Sequence, residues 1–278
     1  MNSAPASTAR STVRSSVTVP APMTARAPIR RVSVAIASRA PGTVIVISIT
    51  GSPASTSVSA TRIAISDDGA RTTGITPALS DSAAKTTAAA LAAAKKAGLT
   101  VSYDLNFRSK LWDADRARAV QEPLMEHVDV LITTEEDARV VFGVGGGKGS
   151  SDYSAVDAES YGDVARELQK RFDFAAVAIT LRENPLVWRN TWSALILADG
   201  ALHQGPRYDV EIVDRIGAGD AFSAGLIFGR LECRDWKKAV DYGTALSALK
   251  HTVLGDFSVA SRREVEQVMA GGSLRVSR

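Results

Sequence analysis

Asp214-Arg-Ile-Gly-Ala-Gly-Asp220-Ala-Phe-Ser-Ala-Gly-Leu-Ile-Phe-Gly-Arg230 decides how the rest of the chain is read. It opens on one carboxylate, passes through Gly217-Ala218-Gly219 and reaches a second carboxylate, Asp220. The segment from Ala221 to Phe228 is almost wholly apolar and predicts a buried helix. Its N-terminus carries free N–H groups and the positive end of the helix dipole, and small residues let an anion approach the backbone. A carboxylate beside such an anion site suits removal of a proton from a hydroxyl while charge develops on a transferring phosphoryl group. A tight strand-to-helix turn with glycines for geometry and aspartate as a cap would give the same spacing.

Upstream, strand-like and helix-like stretches alternate from Thr73 onward, which predicts a parallel α/β sheet. Thr73–Ile75 reads as a strand end, and Ser80 as the cap of an alanine-rich helix from Asp81 to Ala97, closed by Gly98. Leu99–Leu105 reads as a strand with Asp104, Asn106 and Arg108 at its C-terminal end, where open α/β sheets bind ligands. A helix over Asp115–His127, a strand over Val128–Thr133 and a helix over Glu135–Phe142 follow. Tyr161–Phe172 has helical periodicity and Ala175–Leu181 is a buried strand. Trp192–Leu197 and Ala201–Gln204 form a hairpin turning at Asp199-Gly200, and two helices, Trp236–Lys250 and Ser261–Met269, close the chain. Gly143-Val-Gly-Gly-Gly-Lys148-Gly149 is one residue short of a P-loop and lacks its hydroxyl residue, so it reads as a flexible loop.

Asp-x-x-Gly-Ala-Gly-Asp before an apolar helix resembles the signature of the ribokinase-like (PfkB) carbohydrate kinases. Tyr103-Asp-Leu-Asn-Phe-Arg-Ser-Lys-Leu-Trp112, Tyr208-Asp-Val-Glu-Ile-Val-Asp214 and Lys250-His-Thr-Val-Leu-Gly-Asp-Phe257 are similar to the 2-keto-3-deoxygluconate kinases within that family. The resemblance covers residues from about 70 to about 270. It implies a three-layer α/β/α, mostly parallel sheet, ATP and Mg²⁺ as cofactors, and a small sugar acid as substrate. By resemblance Asp220 is the catalytic base and the Gly217, Ala218 and Gly219 amides form the anion hole. Asn106, Arg108 and Asp256 join Asp220 in binding the sugar acid, with the Arg108 guanidinium on the carboxylate. Thr180, Arg182, Gly217, Gly219, Lys250, His251 and Gly255 would face the nucleotide. The family's usual Asn-x-x-Glu near magnesium stands here as Thr134-Glu-Glu-Asp137, which leaves Asp137 as the metal candidate. Each has a plainer reading: Arg108 as a surface arginine, Asp104, Asn106 and Asp256 as turn residues, His127 and His203 as structural or solvated.

Composition bounds the remainder. The net charge is +3, but residues 1–66 hold seven Arg and no Lys, Asp or Glu, so the rest carries −4. The basic pI of 9.1 is therefore no argument for nucleic acid. One cysteine, Cys233, excludes an internal disulfide and suits a cytoplasmic protein. No apolar run approaches the ~18 residues that span a membrane. Assembly with further copies of itself stays open.

Residues 1–66 contain no Leu, Phe, Tyr or Trp, and Ala, Ser and Thr supply 33 of them. Such a composition predicts little packed core and largely disordered chain, with strands only at Val32–Ile36 and Thr43–Thr50. A reading-frame error in a GC-rich gene is the preferred account; a transit peptide and a divergent folded domain are the alternatives. The expected division is thus a low-complexity segment, 1–72, with the family's N-terminal lid missing or garbled, and a kinase domain, 73–278. A catalytically impaired kinase-like protein, or a related fructokinase or ribokinase, remains the other function.

Overall fold

The computed structural model describes residues 69–145, 158–186, 188–272 and 274, together with the backbone of four strands upstream. Those strands are β1 (Arg14–Ser15), β2 (Arg31–Ala37), β3 (Val44–Thr50) and β4 (Ile63–Ser66). They pair antiparallel in sequence order, and β4 pairs antiparallel with β5 (Gly69–Thr73). The two strands expected at 32–36 and 43–50 are β2 and β3; the remaining expectations for residues 1–62, and most of the glycine-rich loop 143–149, lie outside the described residues.

From β5 the sheet runs parallel through β6 (Val101–Asp104), β7 (Val130–Thr134) and β8 (Ala176–Leu186). It then turns antiparallel into β9 (Arg189–Ala198), whose far edge takes β10 (Ala201–Gln204) and β11 (Tyr208–Glu211). The β9–β10 hairpin turns at Asp199 and Gly200, with φ of +50° and +74°, as a two-residue turn with both central residues left-handed requires.

Alternation along the central strands builds a layer on each side. Tyr103, Leu131, Val177 and Ile179 face one way, onto α2 (Asp81–Lys96), α3 (Ala114–Gln121), α4 (Glu135–Phe142) and α5 (Ala158–Phe172). Val130, Ile132, Ala176 and Ala178 face the other way, onto α6 (Ala218–Cys233) and α7 (Trp236–His251). A short α1 (Ile75–Ala78) follows β5, and α8 (Arg262–Met269) packs on α7 through Val265 and Val268. This is the α/β fold of helices on both faces of a mixed sheet.

The helix starts follow their caps. Ser80 accepts from Ala83 N at 3.1 Å, and the side chains of Thr134 and Asp235 likewise accept from the third residue beyond them. The helix expected over 115–127 is instead α3 followed by a 3-10 turn, Glu122–His127. Pro123 has no N–H to donate to the preceding turn, so the α pattern cannot run through it. Helix α6 departs from expectation differently: it is buried on one side only, and Phe228 and Leu231 are 36% and 44% exposed. Arg262 covers part of that open side from 5.6 Å above the Phe228 ring.

Helices α6 and α7 pack closely at Gly225, Gly229 and Gly243. A Cβ on Gly225 would stand 2.6 Å from the Tyr242 carbonyl oxygen and 2.8 Å from the Gly243 Cα. Gly→Ala in an exposed helix gains about 1 kcal/mol. Here the overlap with backbone outweighs that gain, so Gly225→Ala is expected to lose about 1–3 kcal/mol of stability. Urea denaturation measures it; a stabilised variant would contradict so close an approach.

Candidate active site

The C-terminal half of β5 reaches the N-terminus of α6 through Arg71, and Asp104 at the end of β6 lies within electrostatic reach of it. On the α6 side of the sheet the polar members of the alternation accumulate: Arg71 and Thr73 from β5, Ser102 and Asp104 from β6. Elsewhere that face is apolar and covered by α6 and α7. Beyond β6 the chain turns through Asn106 at φ +39°, a left-handed conformation that asparagine tolerates better than most residues. The Asn106 amide donates to Thr73 Oγ1 at 3.1 Å, tying the end of β6 to β5. Phe107 N donates to Asp137 Oδ2 at 3.4 Å, and Arg108, exposed, donates Nη1 to the Phe107 carbonyl at 2.9 Å.

Helix α6 presents Asp220 on its first turn, 72% exposed, with Oδ1 3.6 Å from Arg71 Nη2. Gly217, the cap, has φ +79°, and a Cβ there would lie 1.9 Å from the Asp256 carbonyl oxygen. Only glycine fits, because the Asp256 backbone lies directly against it. A Cβ on Gly219 would meet nothing within 4 Å, so that side of the turn is open. Ser247 of α7 donates to the Ala218 carbonyl at 2.7 Å and fixes this turn from behind. Asp214 accepts from Ile216 N and Gly255 N, both at 2.9 Å, and these amides hold its carboxyl below the usual carboxylate range.

The electrostatics divide the site in two. Around β6, Asp104 lies within reach of Asp220, Asp137, Arg71 and Arg108. Burial pushes the Asp104 carboxyl up to about 7; Arg71 and Arg108 oppose the shift and the two carboxylates add to it. Burial likewise pushes Asp137 up to about 6, against the pull of the Phe107 amide. At the other end the His251 ring is held below its ordinary value mainly by burial, with Arg182, Lys250 and Arg215 within electrostatic reach and acting the same way. His251 Nδ1 lies 2.8 Å from the Ser247 carbonyl and its ring packs 4.9 Å from Trp192. Lys250 is fully buried and donates to the Val253 carbonyl at 3.0 Å, so it braces the loop that carries Gly255 and Asp256. Thr180 sits mid-strand in register with Thr134, Arg182 is exposed two residues on, and Asp256 is exposed.

Of the residues singled out from sequence, Asn106 and Asp137 are tied to the end of β6 and its following turn, and Gly255 and Asp256 lie against the turn that opens α6. Arg108 acts electrostatically on Asp104, and Arg182 and Lys250 act on His251. Arg71 and the buried role of Asp104 were missed. The signal was there in the alternation of β6, where Ser102 and Asp104 break an otherwise apolar face. Among the described residues no group of three or more His, Cys, Asp and Glu could hold a metal. Asp137 beside a second carboxylate with raised proton affinity fits a divalent cation shared with phosphate oxygens, as Mg²⁺ is usually held, and does not fit an all-protein cage. No helix among the described residues is long and apolar enough to cross a membrane.

The Asp104 shift has a consequence for stability. Its folded value is raised, so the folded state holds a proton that the unfolded chain releases near pH 4; stability is lost as pH rises from about 4 to about 7. Asp104→Asn is expected to be more stable than the parent at pH 8 by about 1–3 kcal/mol and equal to it near pH 4. Thermal unfolding of both proteins across that range, without added metal, checks this. A constant difference at all pH values would contradict it.

Residues 66–260 match the pattern of the pfkB family carbohydrate kinases. The chain belongs to that family. Within the family it is 36% identical over 207 residues to a 2-dehydro-3-deoxygalactonokinase of Haloferax volcanii, covering 74% of this chain and 58% of that one. It is 30% identical to the 2-dehydro-3-deoxygluconokinase of Bacillus subtilis, covering 69% and 53%. The crystal structure of a 2-dehydro-3-deoxygluconokinase from Thermotoga maritima superposes with a TM-score of 0.66 at 40% identity, covering 72% of this chain and 59% of that one. This pfkB chain thus spans a little over half the length of these relatives.

Proposed function

We propose that the chain phosphorylates a 2-keto-3-deoxy sugar acid, 2-keto-3-deoxygluconate first among them, with ATP as donor and Asp220 as general base. The observation that carries this reading is the placing of Asp220: on the first turn of α6, next to the open Gly219, and 3.6 Å from Arg71 of β5, the strand to which Asn106 is tied. The kinase domain would comprise residues 73–278 together with β5 just ahead of them, and the low-complexity composition is that of residues 1–66.

Asp220 takes the proton from the primary hydroxyl, at the 6-position of the sugar acid. That oxygen bonds to the γ-phosphorus as the bond to the ADP oxygen breaks, and the amides of Gly217 and Gly219, joined by that of Ala218 if it leaves the Arg215 carbonyl 3.3 Å away, steady the equatorial charge. Arg108 holds the carboxylate, and Asn106 and Asp256 bind hydroxyls. Thr180, Arg182, Lys250, His251 and Gly255 line or support the nucleotide side, where the clustered positive charge suits phosphates. Asp137 would hold Mg²⁺, which supplies neutralisation of phosphate charge when bound.

A substrate panel tests the reading. With ATP, 2-keto-3-deoxygluconate and its galactonate counterpart are expected to exceed fructose and ribose in kcat/KM by about 30-fold or more, the size of one buried charge pair. A preference for fructose or ribose would assign the chain to another branch of the family. ATP binding without transfer to any sugar would favour a catalytically impaired kinase fold.

A further inference from the structure

We propose that Arg71 is a positioning residue for Asp220, anchoring the exposed carboxylate over the ends of β5 and β6. The proposal rests on the reading of Asp220 as base. Its geometry is unequal: the Arg71 side chain is 26% exposed and rooted in a strand, whereas Asp220 is 72% exposed on a helix turn. The cation is thus the fixed member and the carboxylate the one to be steered.

Arg71 shares its face of β5 with Thr73, the acceptor for Asn106, and stands in register beside Ser102 of β6. The small Ser102 side chain leaves that face free for a long one. Arg71 also lies within electrostatic reach of Asp104, so one cation acts on both the strand carboxylate and the helix carboxylate. Its guanidinium would neutralise the repulsion between Asp104 and Asp220 that otherwise drives the Asp220 side chain away from the sheet. An ion pair with so exposed a member contributes little to folding. Orientation is different: misplacing a reacting group by about 1 Å can cost about 10²-fold in rate.

The test is a double-mutant cycle in the full chain, with a readout that needs no turnover. Arg71→Met is expected to lower kcat by about 10–100-fold with KM for ATP and melting temperature nearly unchanged, and Arg71→Lys to recover part of the loss. In an Asp220→Asn background Arg71→Met should cost nothing further. Independent losses in the two backgrounds, or full activity in Arg71→Met, would overturn the proposal while leaving Asp220 as base. Full activity in Asp220→Asn would instead remove the base reading, and this proposal with it. By NMR, Asp220→Asn should shift the Arg71 Nε–H signal; an unmoved signal would show that no pair forms in solution and would overturn the proposal whatever the activity.

Discussion

Asp220→Ala is expected to lower kcat by about 10²–10⁴-fold, the usual contribution of a positioned general base, with little change in ATP affinity. The size follows from the site having no obvious substitute. Asp104 at the end of β6 and Asp137 on the first turn of α4 belong to the same site, but neither stands on the first turn of α6 beside the 217–219 turn. Nucleotide binding should survive, because the basic cluster around His251 and the Gly255 loop do not use the Asp220 side chain. Steady-state kinetics with a nucleotide-binding measurement on the same preparation separates the two effects. A variant of unchanged kcat would remove Asp220 from the chemistry.

Arg108→Ala should cost about 2–5 kcal/mol in kcat/KM for a sugar acid, the range for breaking a hydrogen-bonded charge pair. For a neutral sugar the loss should be much smaller. The Arg108 side chain is exposed, and among the described residues its hydrogen bond is to the neighbouring Phe107 carbonyl, with Asp104 and Asp137 within electrostatic reach. A side chain so lightly held is free to turn toward a carboxylate, and its removal should leave the melting temperature almost unchanged. Equal losses on acid and neutral sugars would make Arg108 a structural residue.

What was legible in the sequence was local. Ser80 as a cap and Gly98 as a stop placed α2, and apolar periodicity placed α4, α7 and α8, whose starts the structure shows capped by Thr134, Asp235 and Ser261. β-Branched alternation placed β2 and β3. The Gly-Ala-Gly-Asp turn sat where expected because its requirements are also local: a left-handed cap and a helix start. What could not be read depends on partners far away in the chain. Gly217 is fixed by the Asp256 backbone, Lys250 is used up inside the fold, and Arg71 meets a carboxylate almost 150 residues downstream. The uncovered side of α6 is of the same kind, since apolar content alone does not say which face finds a neighbour.

The central claim is transfer of the ATP γ-phosphoryl group to the primary hydroxyl of a 2-keto-3-deoxy sugar acid. Phosphorus NMR of the full chain with MgATP and 2-keto-3-deoxygluconate tests it most directly. The expected spectrum shows ADP growing in step with one new phosphomonoester signal coupled to two methylene protons, as a 6-phosphate requires. ADP with inorganic phosphate alone, or an unchanged ATP spectrum after prolonged incubation, would contradict it.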